Sequence, residues 1–240
     1  MLDPNTVPRS PENQILAFLS SEEQHRCRGL LHSVDLPQGQ ILYEAKAAIE
    51  YVYFIDQGMV SVVSVMQNGD SIEVGTIGNE GMTGLALILG VNAVPYRHVV
   101  QVPGRARRMS ASALAIELKH DRELKQLLCR YHAAFVTQIM QGMACNGLHS
   151  IGQRCCRWLL TTQDRVGSHE LEITHEFLAQ MLGVRRATVT DVLRPLQNEG
   201  LISARRGRLT ILDPERLAAA ACECYRVIRN EYQRLMRMAA

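Results

Sequence analysis

The chain has 240 residues, of which 47% are hydrophobic and 21% charged, an ordinary composition for a globular protein large enough for two domains. Its longest apolar runs, such as residues 85–89, are much shorter than the roughly 20 residues of a membrane-spanning helix, which argues against a membrane protein. No basic segment followed by an apolar run opens the sequence, so we expect a cytoplasmic protein without a signal peptide.

The net charge of +2 is unevenly distributed along the chain. Residues 1–150 carry 12 Lys and Arg against 14 Asp and Glu, a net charge of −2. Residues 151–240 carry 14 basic residues, all of them arginine, against 10 acidic ones, a net charge of +4. The positive net charge of residues 151–240 indicates a polyanionic partner for this part of the chain. Arginine, moreover, suits forked hydrogen bonding to phosphate and guanine.

The sequence contains seven cysteines, and in a cytoplasmic chain these are more typical of free thiols than of disulfides. They are Cys27, Cys129, Cys145, Cys155, Cys156, Cys222 and Cys224. Because no C-x-x-C spacing occurs, we predict no metal site. Cys222 and Cys224 lie two residues apart on a predicted helix and are expected to point to different faces. Cys155 and Cys156 are interpreted as buried, unreactive thiols rather than as oxidation sensors.

The first part of the chain predicts an α+β fold that begins with an antiparallel β-roll of the jelly-roll type over residues 12–111, after a loose segment at residues 1–11. A short amphipathic helix at residues 12–19 precedes the roll. Stretches rich in aromatic and β-branched residues predict strands at 51–55, 59–66, 71–77 and 99–109. Gly58 separates the first two of these strands, and Asn68-Gly69 is a turn signal before the third.

Between residues 112 and 149 the hydrophobic period lengthens, which predicts a helix of several turns over residues 122–148. Its apolar stripe consists of Leu124, Leu128, Tyr131, Phe135 and Ile139. Two interpretations remain open. Either the stripe packs back on the roll, or it is a dimer interface on which two copies of the helix meet.

A second domain is predicted over residues 150–213, with a boundary near 149–152 and a short strand at 171–173. Thr174 is suited to cap the helix that follows, with the acidic Glu176 in its first turn. Asp213 followed by Pro214 predicts the start of another helix, which we expect to run through residues 214–240.

Between those caps the sequence predicts a helix, a turn at Gly183 and a second helix with two different faces. The apolar face has the helical spacing of Val189, Val192, Leu193 and Leu196. Arg186, Thr190 and Arg194 lie on the opposite face, with Arg185 just before the helix. This pattern is typical of a helix-turn-helix that binds DNA. Pro195 predicts that the second helix kinks or ends early.

Several side chains of this second helix are suited to base edges. Arg186 is the candidate for a bidentate contact to guanine, Ala187 for a thymine methyl group, and Asp191 for cytosine. The Gly-centred basic hairpin that follows predicts a wing whose arginines bind the DNA backbone. The predicted DNA-binding residues are therefore Arg185, Arg186, Ala187, Thr188, Thr190, Asp191, Arg194, Arg205, Arg206 and Arg208.

The order of roll, long helix and the segment LAQMLGVRRATVTDVLRPLQNEGLISARRGRLTI resembles the CRP/FNR family of bacterial transcription regulators. The strand pair YVYFIDQGMVSVV is similar to that of the family's cyclic-nucleotide-binding-like domain. The resemblance implies a homodimer that binds a palindromic site in double-stranded DNA and contacts RNA polymerase. It also implies an effector in the roll that changes the orientation of the DNA-binding domains through the long helix.

The segments that match the family's effector pocket depart from those of its cAMP-responsive members. The corresponding residues are Gly81, Met82, Gly84, Leu85, Arg97 and His98. Met82 stands where those members have the acid that binds the ribose, and His98 where they have a serine beside the phosphate-binding arginine. We therefore expect no usual cAMP site, no cofactor and a small-molecule effector of unknown identity. The alternative is a packed remnant without a ligand.

Two other classes of function are less consistent with the sequence. A cyclic-nucleotide-binding signalling module would act through protein partners, with the winged domain as a protein-binding surface. An enzyme is disfavoured because we find no paired acids and no nucleophile with a matching base. Cys27 is the only cysteine before residue 129, so the N-terminal cysteine cluster of the iron–sulfur members of the family has no counterpart.

Overall fold

The computed structural model describes residues 13–205 and 207–237. Its helices are α1 (Gln14–Ala17), α2 (Ser21–Arg28), α3 (Ala111–His120), α4 (Arg122–Leu148), α5 (Ile151–Val166), α6 (His175–Leu182), α7 (Arg186–Asn198), α8 (Pro214–Ala220) and α9 (Cys224–Arg237). Its strands are β1 (His32–Leu36), β2 (Ile41–Tyr43), β3 (Tyr51–Val65), β4 (Ser71–Ile77), β5 (Arg97–Ser110), β6 (Glu170–Glu172), β7 (Ile202–Arg205) and β8 (Arg208–Ile211). A 3-10 turn spans Leu85–Leu89. Within these described residues, no helix is both long and apolar enough to cross a membrane.

The first five strands form an antiparallel sheet in the order β1-β5-β3-β4, with β2 also paired to β5. The predicted turn at Gly69 joins β3 to β4, and the predicted antiparallel roll is confirmed. Gly58, by contrast, does not separate two strands. It lies inside β3 with a φ of 87°, where a Cβ atom would lie 2.5 Å from the carbonyl oxygen of Val102. The sheet register shifts on both sides of it, so glycine forms a bulge in one long strand.

Helices α1, α3 and α4 cover one face of the roll. The core that they share with the roll contains Ile15, Leu16, Val52, Phe54, Met82, Leu114, Leu124, Leu128 and Tyr131. Asn13 caps α1 and donates a hydrogen bond from Nδ2 to the carbonyl oxygen of Gly81 (2.6 Å). The start of the described chain is thereby held against the loop that follows β4.

Helix α4 has the bounds that the sequence predicted, and most of its apolar stripe packs on the roll. Leu124, Leu128 and Tyr131 are at most 2% exposed and pack on the roll. Phe135 and Ile139 are half-buried, and the Phe135 ring lies against Gly75 of β4. The dimer-interface interpretation is therefore wrong for Leu124, Leu128 and Tyr131, whereas for Phe135 and Ile139 it stays a prediction. A helix tethered to the roll can bury the stripe without the loss of translational freedom that association requires.

The second domain has its own core, built from α5, α6, α7, α8 and the sheet β6-β8-β7. Ser150 caps α5 through a reciprocal pair of hydrogen bonds with Gln153. Cys155 and Cys156 are at most 1% exposed, as predicted, and burial raises the pKa of Cys156 to about 11. Such thiols stay protonated at neutral pH and are poor nucleophiles.

The C-terminal helix predicted over residues 214–240 is instead two helices, α8 and α9, interrupted at residues 221–223. Helix α8 packs on α5, whereas α9 runs along α4. Tyr232 of α9 donates a hydrogen bond from Oη to the carbonyl oxygen of Glu80 (2.8 Å), and Met236 is 1% exposed in the core of the roll. A single straight helix cannot lie along both partners, so the chain breaks between them.

The second domain rests directly on the roll. Trp158 of α5 donates a hydrogen bond from Nε1 to Oε1 of Glu73 on β4 (3.0 Å). Arg165 of α5 forms a buried ion pair with Glu80 (Nε to Oε1, 2.8 Å). These contacts place α6 and α7 beside the β3–β4 hairpin.

Candidate nucleic-acid interface

Helices α6 and α7 are joined by a tight turn that the local sequence determines. The Thr174 hydroxyl oxygen accepts a hydrogen bond from the backbone N–H of Phe177 (3.1 Å), which confirms the predicted cap of α6. Gly183 ends α6 with a φ of 65°, a conformation that favours glycine. The N–H of Val184 donates to the carbonyl oxygen of Ala179 (3.0 Å), so the chain turns at once into α7.

The two faces of α7 differ in exposure as the sequence predicted. Val189 and Leu193 are at most 1% exposed, and Leu196 is 8% exposed, in the core of the second domain. The opposite face carries the exposed side chains of Arg185, Arg186, Ala187, Asp191 and Arg194. An arginine-rich face on a helix whose back is fixed by a core is a surface suited to a DNA groove.

Hydrogen bonds within the second domain hold the start of α7. Thr190 Oγ1 lies 3.0 Å from Nδ1 of His175, the first residue of α6, and donates to the carbonyl oxygen of Arg186 (3.3 Å). Thr190 is accordingly half-buried, as is Thr188. The role of His175 was missed from the sequence, because no spacing rule relates it to Thr190. This tether fixes the angle between the two helices.

The first turn of α7 has backbone N–H groups that its own cap residue does not satisfy. Arg185 occupies the N-cap position and forms no side-chain capping hydrogen bond. The N–H groups of a first helical turn have no partner within the helix, and the helix dipole adds positive potential there. These N–H groups can therefore donate hydrogen bonds to a phosphate oxygen that lies between the side chains of Arg185 and Arg186.

Pro195 does not end α7, which continues to Asn198. The interpretation that the helix ends early is therefore wrong. Pro195 is exposed on the helix surface, and its carbonyl oxygen accepts a hydrogen bond from the N–H of Glu199 (3.0 Å). Three further residues beyond the proline thus remain helical and keep Leu196 in the core.

Strands β7 and β8 form the wing that the basic hairpin predicted. Gly207 has a φ of 82° in the turn, and the side chains of Arg205 and Arg208 are exposed. Arg206 lies outside the described residues. Arg208 forms an ion pair with Glu170 of β6 (Nη1 to Oε1, 2.9 Å), so its guanidinium is held beside the adjacent strand.

Four of the residues predicted to bind an effector lie in the loop after β4, and they belong mainly to the core. Met82 is fully buried and Leu85 is 7% exposed. Gly81 lies beneath the Tyr131 ring, where a Cβ atom would collide with the phenol oxygen, and Gly84 is the N-cap of the 3-10 turn. Their role in effector binding remains a prediction.

The other two predicted effector residues have different partners, and their role in effector binding also stays a prediction. Arg97 is half-buried and pairs with Glu44 (Nε to Oε2, 3.0 Å). His98 is 7% exposed and packs edge-on against Tyr43, with ring centroids 4.8 Å apart. Burial lowers the pKa of His98 to about 4, so this imidazole is neutral at pH 7.

A cavity of about 310 Å³ lies between the roll, α4, α5 and α9. Its lining includes Glu80, Tyr131, Arg165, Tyr225 and Tyr232. Tyr131 Oη and Arg165 Nη1 are buried and have no hydrogen-bond partner among the described residues. The sequence could not identify this cavity, because its polar side chains come from widely separated segments.

Comparisons with known proteins agree with this architecture. A model of the cyclic nucleotide-binding domain matches residues 33–121, and a model of the Crp-like helix-turn-helix domain matches residues 153–220. The global nitrogen regulator of Nostoc sp. is 26% identical over 179 residues, covering 70% of this chain and 80% of that protein. The CRP-like cAMP-activated global transcriptional regulator of Mycobacterium tuberculosis is 25% identical over 198 residues, covering 80% and 88%.

Solved structures show the same fold. A putative transcriptional regulator of the crp/fnr family from Eubacterium rectale has a TM-score of 0.65 at 20% identity, covering 93% of this chain and 97% of that one. The c-di-GMP responsive global regulator CLP of Xanthomonas campestris has a TM-score of 0.66 at 14% identity, covering 80% and 99%.

A cyclic-nucleotide-binding-like roll, a long helix and a winged helix-turn-helix with an exposed arginine face define a DNA-binding transcription regulator. The chain belongs to the CRP/FNR family of these regulators.

Proposed function

We propose that this regulator binds a two-fold-symmetric DNA site as a homodimer, with α7 of each copy in a major groove. The observation that carries the proposal is the exposed face of α7, where Arg185, Arg186 and Arg194 surround Asp191 above a buried back. A helix of 13 residues, fixed on one side by Val189 and Leu193, is long enough to present its first turns to base edges.

The side chains of this face have distinct expected contacts. Arg186 donates two hydrogen bonds to guanine, Ala187 meets a thymine methyl group and Asp191 accepts from cytosine. Arg194 Nη2 lies 3.8 Å from Oδ1 of Asp191, and because an ion pair between such exposed side chains contributes little, both can turn to DNA. The arginines of the wing, Arg205, Arg206 and Arg208, bind phosphates on the flanking backbone.

For the homodimer we propose the exposed face of α4 in place of the buried stripe. Met140 and Met143 are 64% and 74% exposed, and Cys129 and Ala133 are exposed on earlier turns. Together with the half-buried Val136, these residues recur at intervals of three and four. That spacing forms a narrow seam on which two α4 helices can pack as in a coiled coil. A two-fold axis along this seam relates the two copies of α7.

The effector is proposed not to be cAMP bound in the usual way. A neutral, buried His98 cannot contribute charge to a phosphate site, and Arg97 is turned toward Glu44 at the surface. Fully buried Met82 offers no acceptor for a ribose hydroxyl.

RNA polymerase is the proposed partner at promoters. Adding the polymerase to the protein–DNA complex tests whether the two proteins bind each other there.

The proposal is tested by selecting duplexes from a random library and measuring binding by fluorescence anisotropy. We expect a palindromic site and a steep fall of affinity with salt, because bound arginines release counterions from DNA. Arg186→Ala should cost about 1–3 kcal/mol on the selected site and relax the preference at one base position.

Arg226→Ala is the matched control, since Arg226 is an exposed arginine on α9, away from the face of α7. It should leave the selected site and its affinity unchanged. Full specific binding by the Arg186→Ala protein would show that α7 does not make the predicted base contacts.

A further inference from the structure

Three cysteines and one histidine, distant in the sequence, converge where α4 ends and α9 begins. Cys145 lies in the last turn of α4, and His149 is its C-cap residue. Cys222 and Cys224 come from the break between α8 and α9. The four ligand atoms, one from each side chain, all lie within 4.8 Å of one another.

The distances within this cluster are those of groups around a single ion. The sulfur atoms of Cys145 and Cys222 are 3.5 Å apart, and Cys224 Sγ is 3.5 Å from His149 Nδ1. A tetrahedral zinc ion, with bonds of about 2.3 Å to sulfur and 2.0–2.1 Å to nitrogen, separates such ligands by roughly 3.6–3.8 Å. The cluster needs only small adjustments to reach that geometry.

The prediction that Cys222 and Cys224 point to different faces assumed that both lie on one helix. In the structure only Cys224 belongs to α9, while Cys222 precedes it in non-helical backbone. The break therefore lets both thiols turn toward Cys145 and His149. All three cysteines are at most 4% exposed, so the cluster is closed to solvent on its sulfur side.

The surroundings of the four side chains also match those of a bound metal. His149 directs Nδ1 at Cys224 and Nε2 at the carboxylate of Glu223 (3.3 Å). A carboxylate on the far nitrogen of a histidine fixes the tautomer that binds metal and increases its basicity. Gln141 donates a hydrogen bond from Nε2 to Cys224 Sγ (3.1 Å), which stabilises a thiolate at that position.

We propose that Cys145, His149, Cys222 and Cys224 bind one Zn²⁺ ion in a tetrahedral Cys₃His site. Three sulfurs and one imidazole are ligands that zinc prefers, and four protein ligands close the coordination sphere, as in structural sites. Each cysteine binds as the thiolate and releases its proton to solvent. The resulting charge of −1 is offset by Arg157, which interacts favourably with the Cys145 thiolate.

The position of the ion gives it a structural role at the hinge between the two domains. His149 follows α4, and Ser150, the next residue, caps α5 of the DNA-binding domain. An ion held by both α4 and the segment before α9 fixes α9 along α4 and restricts the hinge. Loss of the ion should therefore loosen α9 and increase the freedom of the DNA-binding domain.

The test is metal analysis of the full chain purified under reducing conditions without an affinity tag that binds metal. We expect about one zinc per chain by elemental mass spectrometry. Refolding with Co²⁺ should give the intense visible bands of tetrahedral cobalt and a thiolate charge-transfer band. Cys224→Ser should lose most of the bound metal, and any cobalt that it retains should show a weaker thiolate charge-transfer band, since one of three thiolates is gone.

His120→Ala is the control, because His120 is an exposed imidazole at the end of α3, outside the cluster. It should retain zinc, whereas Cys145→Ser and His149→Ala should lose most of it. Circular dichroism of each variant distinguishes loss of the site from loss of the fold. The zinc content of the unmodified chain tests the proposal without relying on any variant.

Two results would overturn the proposal. One is a reduced, folded chain with no zinc and an octahedral cobalt spectrum. The other is a metal-free chain in which mass spectrometry finds a Cys145–Cys222 disulfide, since the 3.5 Å between their sulfurs is also compatible with a redox pair after a small movement.

Discussion

Helices α4 and α7 are both amphipathic, yet the sequence predicted the exposed face of only one of them. In α7 the apolar residues form one stripe and the arginines the opposite one, so the buried face was evident. Helix α4 carries apolar residues on two sides: Leu124, Leu128 and Tyr131 pack on the roll, while Met140 and Met143 are exposed.

Comparison of α4 with α7 shows that hydrophobic periodicity identifies which face of a helix is apolar but not which partner covers it. Helix α7 packs on the core of its own domain, and its exposed face carries Arg186, Asp191 and Arg194. Helix α4 packs on the roll with one face and, in the proposed dimer, on a second α4 with the other. The sequence left open whether the larger and more regular stripe faces the roll or a second copy, and the structure places Leu124, Leu128 and Tyr131 against the roll.

The largest effect is expected from the buried side of α4. Leu128→Ala removes a fully buried side chain from the core shared with the roll. The free energy of unfolding should fall by about 2–5 kcal/mol, as for other large-to-small core substitutions. Urea denaturation measures the change, and Lys125→Ala, on the exposed side of the same helix, should alter it by less than about 0.5 kcal/mol. Equal effects of the two substitutions would contradict the assignment of the buried face.

The contact that holds the domain of α7 on the roll should depend on pH. Burial raises the pKa of Glu73 to about 7, although hydrogen bonds from Ser61 and Trp158 and the charges of Arg165 and Arg157 oppose the shift. The docked state therefore binds a proton that an undocked, solvated Glu73 releases near pH 4.5. Docking is favoured most below pH 4.5 and loses up to about 3 kcal/mol as the pH rises past 7.

Trp158 is the only tryptophan of the chain, and its indole N–H donates to Glu73. Its emission should move to longer wavelength between pH 5 and pH 8 as the contact loosens. Glu73→Gln, which cannot titrate, should abolish that dependence. If the Glu73→Gln variant kept the pH profile of the unmodified chain, a group other than Glu73 would be responsible for the change in emission.

The exposed side of α4 should control association and leave the fold intact. Met140→Glu places a charge in the proposed seam, and two copies bring like charges together there. The dissociation constant of the dimer should rise at least about tenfold, or about 1.4 kcal/mol. Analytical ultracentrifugation measures the change, with Gln126→Glu as a control on the exposed surface of the first turns of α4. An unchanged dimer would exclude this face as the interface.

Sequence patterns alone predicted the antiparallel roll, the bounds of α4, the caps at Thr174 and Asp213, and the two faces of α7. All of these depend on residues close together in the chain, where capping hydrogen bonds, turn glycines and hydrophobic periodicity act locally. The family resemblance depends on the same local segments, and both family models match them.

Three features became evident only from the folded chain: which side of α4 is buried, where the C-terminal helix breaks, and which side chains surround Cys145. Each depends on packing between segments far apart in the chain: Cys145 and Cys222 are separated by 77 residues, and Tyr232 and Glu80 by 152. Spacing rules for metal ligands apply to motifs within one loop or helix, so they indicated no site for four residues from two helix ends. The fold brings those residues together because α9 must lie along α4 to complete the core of the roll.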